Sequence, residues 1–338
     1  MLKPTIALLA AGLAAAAAPA LANDSTAELA AGGLIFVRND NVEMRSEDLT
    51  ISAKEVQVRY RFFNKSDKNV TVLVAFPMPE IKVDGPDVSI SVPTEDPVNP
   101  LAFATSVNGK PVTTKVEQRA YAFGLDRTQL LRDLGIPLAP HLQAASEALD
   151  KLPRAKWDEL VRIGLAEIEQ YDVGKGMEDH LAPRWALQTT FYWEQTFPAK
   201  AETVVEHRYK PSVGASVQTA LGSPTAAQED WYDDYQTKYC FDKDFLAAVE
   251  RARREARGQH GAPYSEQRIE YILKTGANWA GPIKEFRLVV DKGDPDSLIS
   301  FCGEEVKKIS PTRFEMKKTD FTPDEDFAVL ILKRIPKQ

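Results

Sequence analysis

Apolar and polar side chains alternate with a period of two over the first third of the chain. Val56, Val58, Tyr60 and Phe62 alternate with Gln57, Arg59 and Arg61, the pattern of a strand with one face buried and one face wet. After a polar turn at residues 64–69, the alternation repeats in Val70, Val72, Val74 and Phe76 and stops at Pro77-Met78-Pro79. Proline donates no ladder hydrogen bond and restricts the residue before it. Together the two runs predict an antiparallel hairpin. Asn108-Gly109 predicts another, between strands at 103–107 and 112–120, since both turn residues tolerate positive φ.

From Asp126 the period becomes helical. Asp126 is placed to cap a short helix that carries Leu130, Leu131 and Leu134 and ends at Gly135; Leu142, Ala145 and Leu149 predict a second. Pro153 suits a first turn, and Trp157, Leu160, Val161, Leu165 and Ile168 share one face of a third. Strand periodicity resumes at 185–197 and 203–209, which read as a strand pair around Pro198. The segment at about 126–172 is thus expected as a helical insertion, packed against a sheet or lying over a ligand.

Residues 212–230 are rich in Ser, Ala, Thr and Gly and read as a linker or loop. A long helix is expected from Asp242 through Phe245, Leu246 and Val249 to Gly258. Its terminal Arg251, Arg253, Arg254 and Arg257 form either a solvated helix end or an anion site. Strands follow: Phe286, Leu288 and Val290 alternate, Phe314 and Met316 come next, and residues 327–331 are almost wholly apolar, as in a central strand. The expected fold class is mainly β. An antiparallel β-sandwich domain spans 23–211 with the helical insertion, and 231–338 forms a second, smaller β-rich unit with one long helix.

The first 22 residues change how the rest is read. Lys3, an apolar run and Ala20-Leu21-Ala22 form an export signal with cleavage after Ala22, so a periplasmic or secreted protein beginning at Asn23 is expected. No later stretch approaches the roughly 18 apolar residues of a membrane helix. With 42 Lys and Arg against 49 Asp and Glu, the formal charge of −7 disfavours nucleic acid and anionic membranes as partners. In an oxidising compartment the two cysteines, Cys240 and Cys302, are expected to form a disulfide. The rival reading places Cys240 before a helix start, where a lowered thiol pKa would make it a nucleophile.

Catalytic signatures are absent. His141, His180, His207 and His260 show none of the close spacings of a zinc site, and there is no G-x-S-x-G elbow, phosphate loop or dinucleotide fingerprint. No cofactor or metal is expected. Asp291, Asp294 and Asp296 read as a solvated turn rather than a calcium loop, because Pro295 interrupts them. The candidate ligand-binding residues are Trp231, Tyr232, Asp233, Asp234 and Tyr235, with Tyr239 nearby. Aromatic faces beside carboxylates suit sugars and organic cations. In the plainer alternative the rings tuck under the adjoining helix while the acids face water.

Several ordered motifs carry a family resemblance. They are Asn23-Asp-Ser, Gly32-Gly33, Ser46-Glu-Asp-Leu-Thr-Ile-Ser52, Val58-Arg-Tyr-Arg-Phe-Phe-Asn64, Val74-Ala-Phe-Pro-Met-Pro79, Asn278-Trp-Ala-Gly-Pro-Ile-Lys-Glu-Phe286 and Asp320-Phe-Thr-Pro-Asp324. The chain resembles a family of exported bacterial proteins catalogued as domain of unknown function 4424. That resemblance implies an exported β-rich protein and transfers no catalytic residue. A weaker similarity links the Phe-Pro-x-Pro segment to β domains at the start of vault and inter-alpha-trypsin inhibitor type proteins. The expected role is non-catalytic binding or assembly in the cell envelope, with an envelope protein or glycan as partner. The rival is an enzyme acting on an envelope glycan through Asp233 and Asp234.

Overall fold

A computed structural model describes residues 24–30, 33–83, 89–172, 174, 176–256 and 261–336. The expected leader and cleavage site, Asn23, Gly32, Arg257 and His260 lie outside them. The fold is mainly β. Among the described residues its largest sheet has eight strands, in the order Lys307–Lys308, Arg313–Phe321, Ile283–Asp291, Val42–Ser52, Val56–Asn64, Glu202–Tyr209, Ala104–Val107 and Lys110–Pro111. All pairs are antiparallel except Val42–Ser52 beside Ile283–Asp291, which run parallel. Strands from both ends of the chain therefore share this sheet.

Two sheets cover it. A seven-stranded sheet runs Leu125–Asp126, Lys115–Ala122, Ala186–Phe197, Val70–Pro77, Ser25–Ala30, Gly33–Val37, with Ile81–Lys82 beside Ala186–Phe197. A five-stranded sheet runs Leu298–Phe301, Phe327–Arg334, Tyr264–Tyr271, Val213–Ser216, Ser89–Ser91. The strand Val213–Ser216 thus lies within the 212–230 stretch. One continuous core contains Val58, Tyr60, Phe62 and Leu288 from the large sheet, Phe76, Phe191 and Trp193 from the second, and Ile269, Val329 and Ile331 from the third.

The alternating runs form strands as expected, but their pairing differs. Val56–Asn64 belongs to the large sheet and Val70–Pro77 to the seven-stranded one, so the turn between them crosses from sheet to sheet and no hairpin forms. Ala186–Phe197 and Glu202–Tyr209 are divided in the same way. Both strands of each pair send apolar side chains into one core, which produces the alternation a hairpin would show. Buried Asn64 builds the first corner, its amide nitrogen donating to the Lys68 and Phe197 carbonyls at 2.8 and 2.9 Å. Asn108-Gly109 does close a hairpin, at φ +48° and +75°, onto the short strand Lys110–Pro111.

The insertion contains three helices, α1 (Thr128–Asp133), α2 (Gln143–Asp150) and α3 (Arg154–Arg162). Their apolar faces meet Ala120, Ala122, Leu181 and Trp185 in a separate core. The third helix is shorter than its apolar face predicts. It ends at Arg162, two residues before Gly164; Leu165 leads into a hairpin of Ala166–Asp172 and Met177–Pro183, whose first strand holds Ile168. Gly164 has φ +70°, and a Cβ there would sit 1.8 Å from the ring of Phe123. Gly164→Ala is expected to destabilise the protein by about 1 kcal/mol through the left-handed backbone, since the exposed Phe123 ring can swing aside; urea unfolding checks this.

Helices α4 (Tyr232–Tyr239) and α5 (Lys243–Ala256) cover the outer face of the five-stranded sheet. Asp242 caps α5 by accepting the Phe245 amide at 2.6 Å. Phe327–Arg334 is therefore buried on both faces, Val329 and Ile331 inward and Leu330 and Leu332 toward the helices. Its nearly unbroken apolar run follows from that position.

A hydrogen-bonded pair of titratable side chains lies at the centre of the main core. Asp24 and His207 are fully buried, with Nε2 of His207 2.9 Å from Oδ1 of Asp24. Tyr60, Phe76, Phe103 and Trp193 surround the imidazole at ring distances of 4.7–5.6 Å. The Trp279 indole donates to the Asp24 carbonyl at 2.6 Å. Burial pushes the Asp24 carboxyl above its usual range, while His207 opposes that shift. Nearby, the Tyr60 and Tyr271 hydroxyls meet at 3.0 Å beside buried Glu47, and burial raises both phenols well above the ordinary range.

Candidate functional site

A cleft of about 750 Å³ opens where α4, the five-stranded sheet and the segment after Pro77 converge. Its volume lies within the range of small-molecule sites, about 300–1,000 Å³. Helix α4 forms one wall because its aromatic residues recur at helical spacing: Tyr232, Tyr235 and Tyr239 turn toward the sheet and pack on the core beneath. Asp233 and Asp234 occupy the exposed first turn, where the positive helix end favours acids.

Cys240 ends α4 in a left-handed conformation, φ +51°, and is bonded to Cys302 with Cα atoms 5.0 Å apart. The disulfide anchors the helix to the end of Leu298–Phe301, and Cys302 lines the cleft. Neither sulfur is a free thiol, so the nucleophile reading of Cys240 does not apply to this state.

Beneath the tyrosines the strand Tyr264–Tyr271 supplies Glu266, Arg268 and Glu270 to one face. Glu266 is buried and fully engaged. Oε1 accepts from the Thr219 hydroxyl at 2.6 Å, and Oε2 accepts from the Tyr235 hydroxyl at 2.7 Å and from Arg268 at 2.9 Å. Burial and the Glu266 charge hold the Tyr235 phenol protonated far above neutral pH, and burial does the same for Tyr239. The Arg268 guanidinium crosses Gly214, where an added Cβ would come within 3.1 Å of Nε. It is thus a fixed, partly exposed cation with donors left over for the cleft.

Ion pairs ring the opening. Lys238 meets Glu270 at 2.5 Å and Lys82 meets Glu80 at 2.7 Å. Asp326 accepts the amides of Leu273 and Lys274. The cleft therefore offers aromatic surface, a fixed guanidinium and convergent donors and acceptors. Its described lining contains no histidine.

Of the five residues singled out in sequence, only Tyr235 lines this cleft. Tyr232 packs beneath α4, and Trp231 sits at the helix start against Tyr235, ring centroids 5.6 Å apart. Asp233 and Asp234 are exposed and outside the cleft. The sequence reading missed Arg268, Glu270, Glu80, Lys82 and Asp326. Glu266 and Arg268 carry a weak signal, being opposite charges two apart in an alternating strand and so on one face.

The other candidate groups are placed separately. His180 pairs with Asp150 at 2.7 Å in the insertion, while His141 is partly buried and pushed below its usual pKa by desolvation. Asp291 and Asp294 close turns on the amides of Gly293 and Asp296. Arg253 and Arg254 both reach Glu250 on their own helix. Among the described residues no group of His, Cys, Asp and Glu is arranged to hold a metal, and no helix is long and apolar enough to cross a membrane.

Comparison with known proteins finds no curated match. Among solved structures, a candidate nutrient-binding protein of Legionella pneumophila aligns with 92% of this chain and 70% of its own, at 16% identity and a TM-score of 0.43. A zinc metallopeptidase of Deinococcus radiodurans aligns with 88% of this chain and 44% of its own, at 9% identity and a TM-score of 0.20. Neither likeness bears on function. The family model described as "Domain of unknown function (DUF4424)" matches residues 22–330. The chain belongs to the DUF4424 family.

Proposed function

We propose that this protein is exported to the cell envelope and acts there as a non-catalytic binding protein, holding a hydroxylated ligand such as a glycan fragment in the α4 cleft. The observation that carries this reading is Arg268, fixed by Glu266 and Tyr235 beneath a tyrosine-lined opening. Such preorganisation limits the ordering loss on binding. A sugar would lay an apolar face on the rings and share its hydroxyls among Arg268, Glu270 and Asp326.

Ligands that bind only the folded state raise its melting temperature. Screening envelope glycan fragments by thermal shift should give a concentration-dependent rise in wild type. That rise should be reduced by about tenfold in apparent affinity in Arg268→Met, which loses one charge-assisted hydrogen bond. A rise of equal size in the variant would place the ligand elsewhere.

A further inference from the structure

The outer face of the seven-stranded sheet forms a second concavity, a trough of about 1300 Å³ bounded by Gly33–Val37, Lys115–Ala122 and the helical insertion. The amide of Leu34 in the first strand donates to both carboxylate oxygens of Glu117 in the second, at 3.2 and 3.4 Å. A side chain of one strand thus holds the backbone of the other. Directly paired strands lie about 4.8 Å apart, and a gap bridged by a whole glutamate side chain is wider than that.

Both strand edges are open here among the described residues. The sheet order ends at Gly33–Val37, and Leu125–Asp126 covers the other strand only at Tyr121 and Ala122. The two-residue period fixes which backbone groups point into the slot. Leu34 points into it, and so does Phe36. On Lys115–Ala122 the residues that line the trough are Glu117, Arg119 and Tyr121, whose side chains stand off one face of the strand. Above the trough, Phe123 is 85% exposed at φ +49°, a backbone conformation that bulky residues rarely adopt.

We propose that this slot accepts an extended peptide segment of a partner protein as an added strand, displacing the Glu117 side chain. A polypeptide alone offers carbonyls and amides at strand spacing to the open Gly33–Val37 edge. Its carbonyl takes the Leu34 amide that Glu117 holds, and Phe123 and Leu125 flank its side chains. The displaced Glu117 keeps Arg119, 3.3 Å away, as a partner. Glu117 is therefore a placeholder that shields an open edge until the segment arrives.

The test titrates the exported chain with a labelled peptide of about eight residues, a common strand length, alternating threonine and valine with a lysine at each end. Amide hydrogen exchange is expected to slow at Leu34 and Phe36 on binding. Glu117→Ala should bind about tenfold more tightly, and Leu34→Pro, which removes the donor from an edge where proline is tolerated, about tenfold more weakly. If Leu34→Pro fails to fold, Glu117→Ala and the exchange pattern still decide. Absence of binding at about 1 mM, unchanged exchange at the Leu34 and Phe36 amides, or equal affinity in wild type and Glu117→Ala would overturn the proposal. None of these outcomes depends on the α4 cleft.

Discussion

Replacing His207 with alanine is expected to lower the unfolding free energy by about 3–5 kcal/mol, because it leaves the buried Asp24 carboxyl without its hydrogen-bond partner and empties the space the ring fills. That space lies among Tyr60, Phe76, Phe103 and Trp193, so a cavity adds to the loss. The deficit should depend on pH. Burial raises the folded-state pKa of Asp24, and removing His207 removes the influence that opposes this rise. A carboxyl with a raised folded-state pKa destabilises the fold above that pKa and has no such effect below its unfolded pKa of about 3.9. The difference between wild type and His207→Ala should therefore be largest near neutrality and shrink on acidification toward pH 4. Combining His207→Phe with Asp24→Asn should restore much of the stability, since the ring space is then refilled and no buried carboxyl is left to ionise. Urea unfolding at several pH values measures all of this, and a pH-independent difference would mean that packing alone accounts for the loss.

Loss of the disulfide is the second large effect. Cys240 and Cys302 are 62 residues apart, and the chain-entropy relation gives about 4 kcal/mol for closing such a loop. Cys302→Ala should lose about that much. It should also weaken ligand binding, because the bond anchors the end of α4, which carries Tyr235 and Tyr239 into the cleft. Comparing oxidised wild type, reduced wild type and Cys302→Ala separates a constraint on the helix from an effect of the substitution itself. Agreement between the last two is expected.

Individual strands were legible because alternation reports burial of one face directly. Sheet membership was not, since Val56–Asn64 and Val70–Pro77 face one core from opposite sides and show the same alternation as a hairpin. The end of α3 was hidden because Leu165 and Ile168 continue a helical spacing that Gly164 breaks. At the site, Tyr235 stood out as part of an aromatic cluster. Arg268 did not, because strand alternation gives it the outward place of an ordinary solvated arginine. What makes it a fixed cation is Glu266 on its own strand together with Tyr235 of a covering helix, 33 positions away in sequence and held by the disulfide.

The most direct test of the binding account is native mass spectrometry of the protein taken gently from the envelope, beside Arg268→Met prepared in the same way. The account predicts a reproducible bound small-molecule mass on wild type that is depleted on the variant. The same mass on both proteins, or bare protein in each, would contradict a ligand site in the α4 cleft.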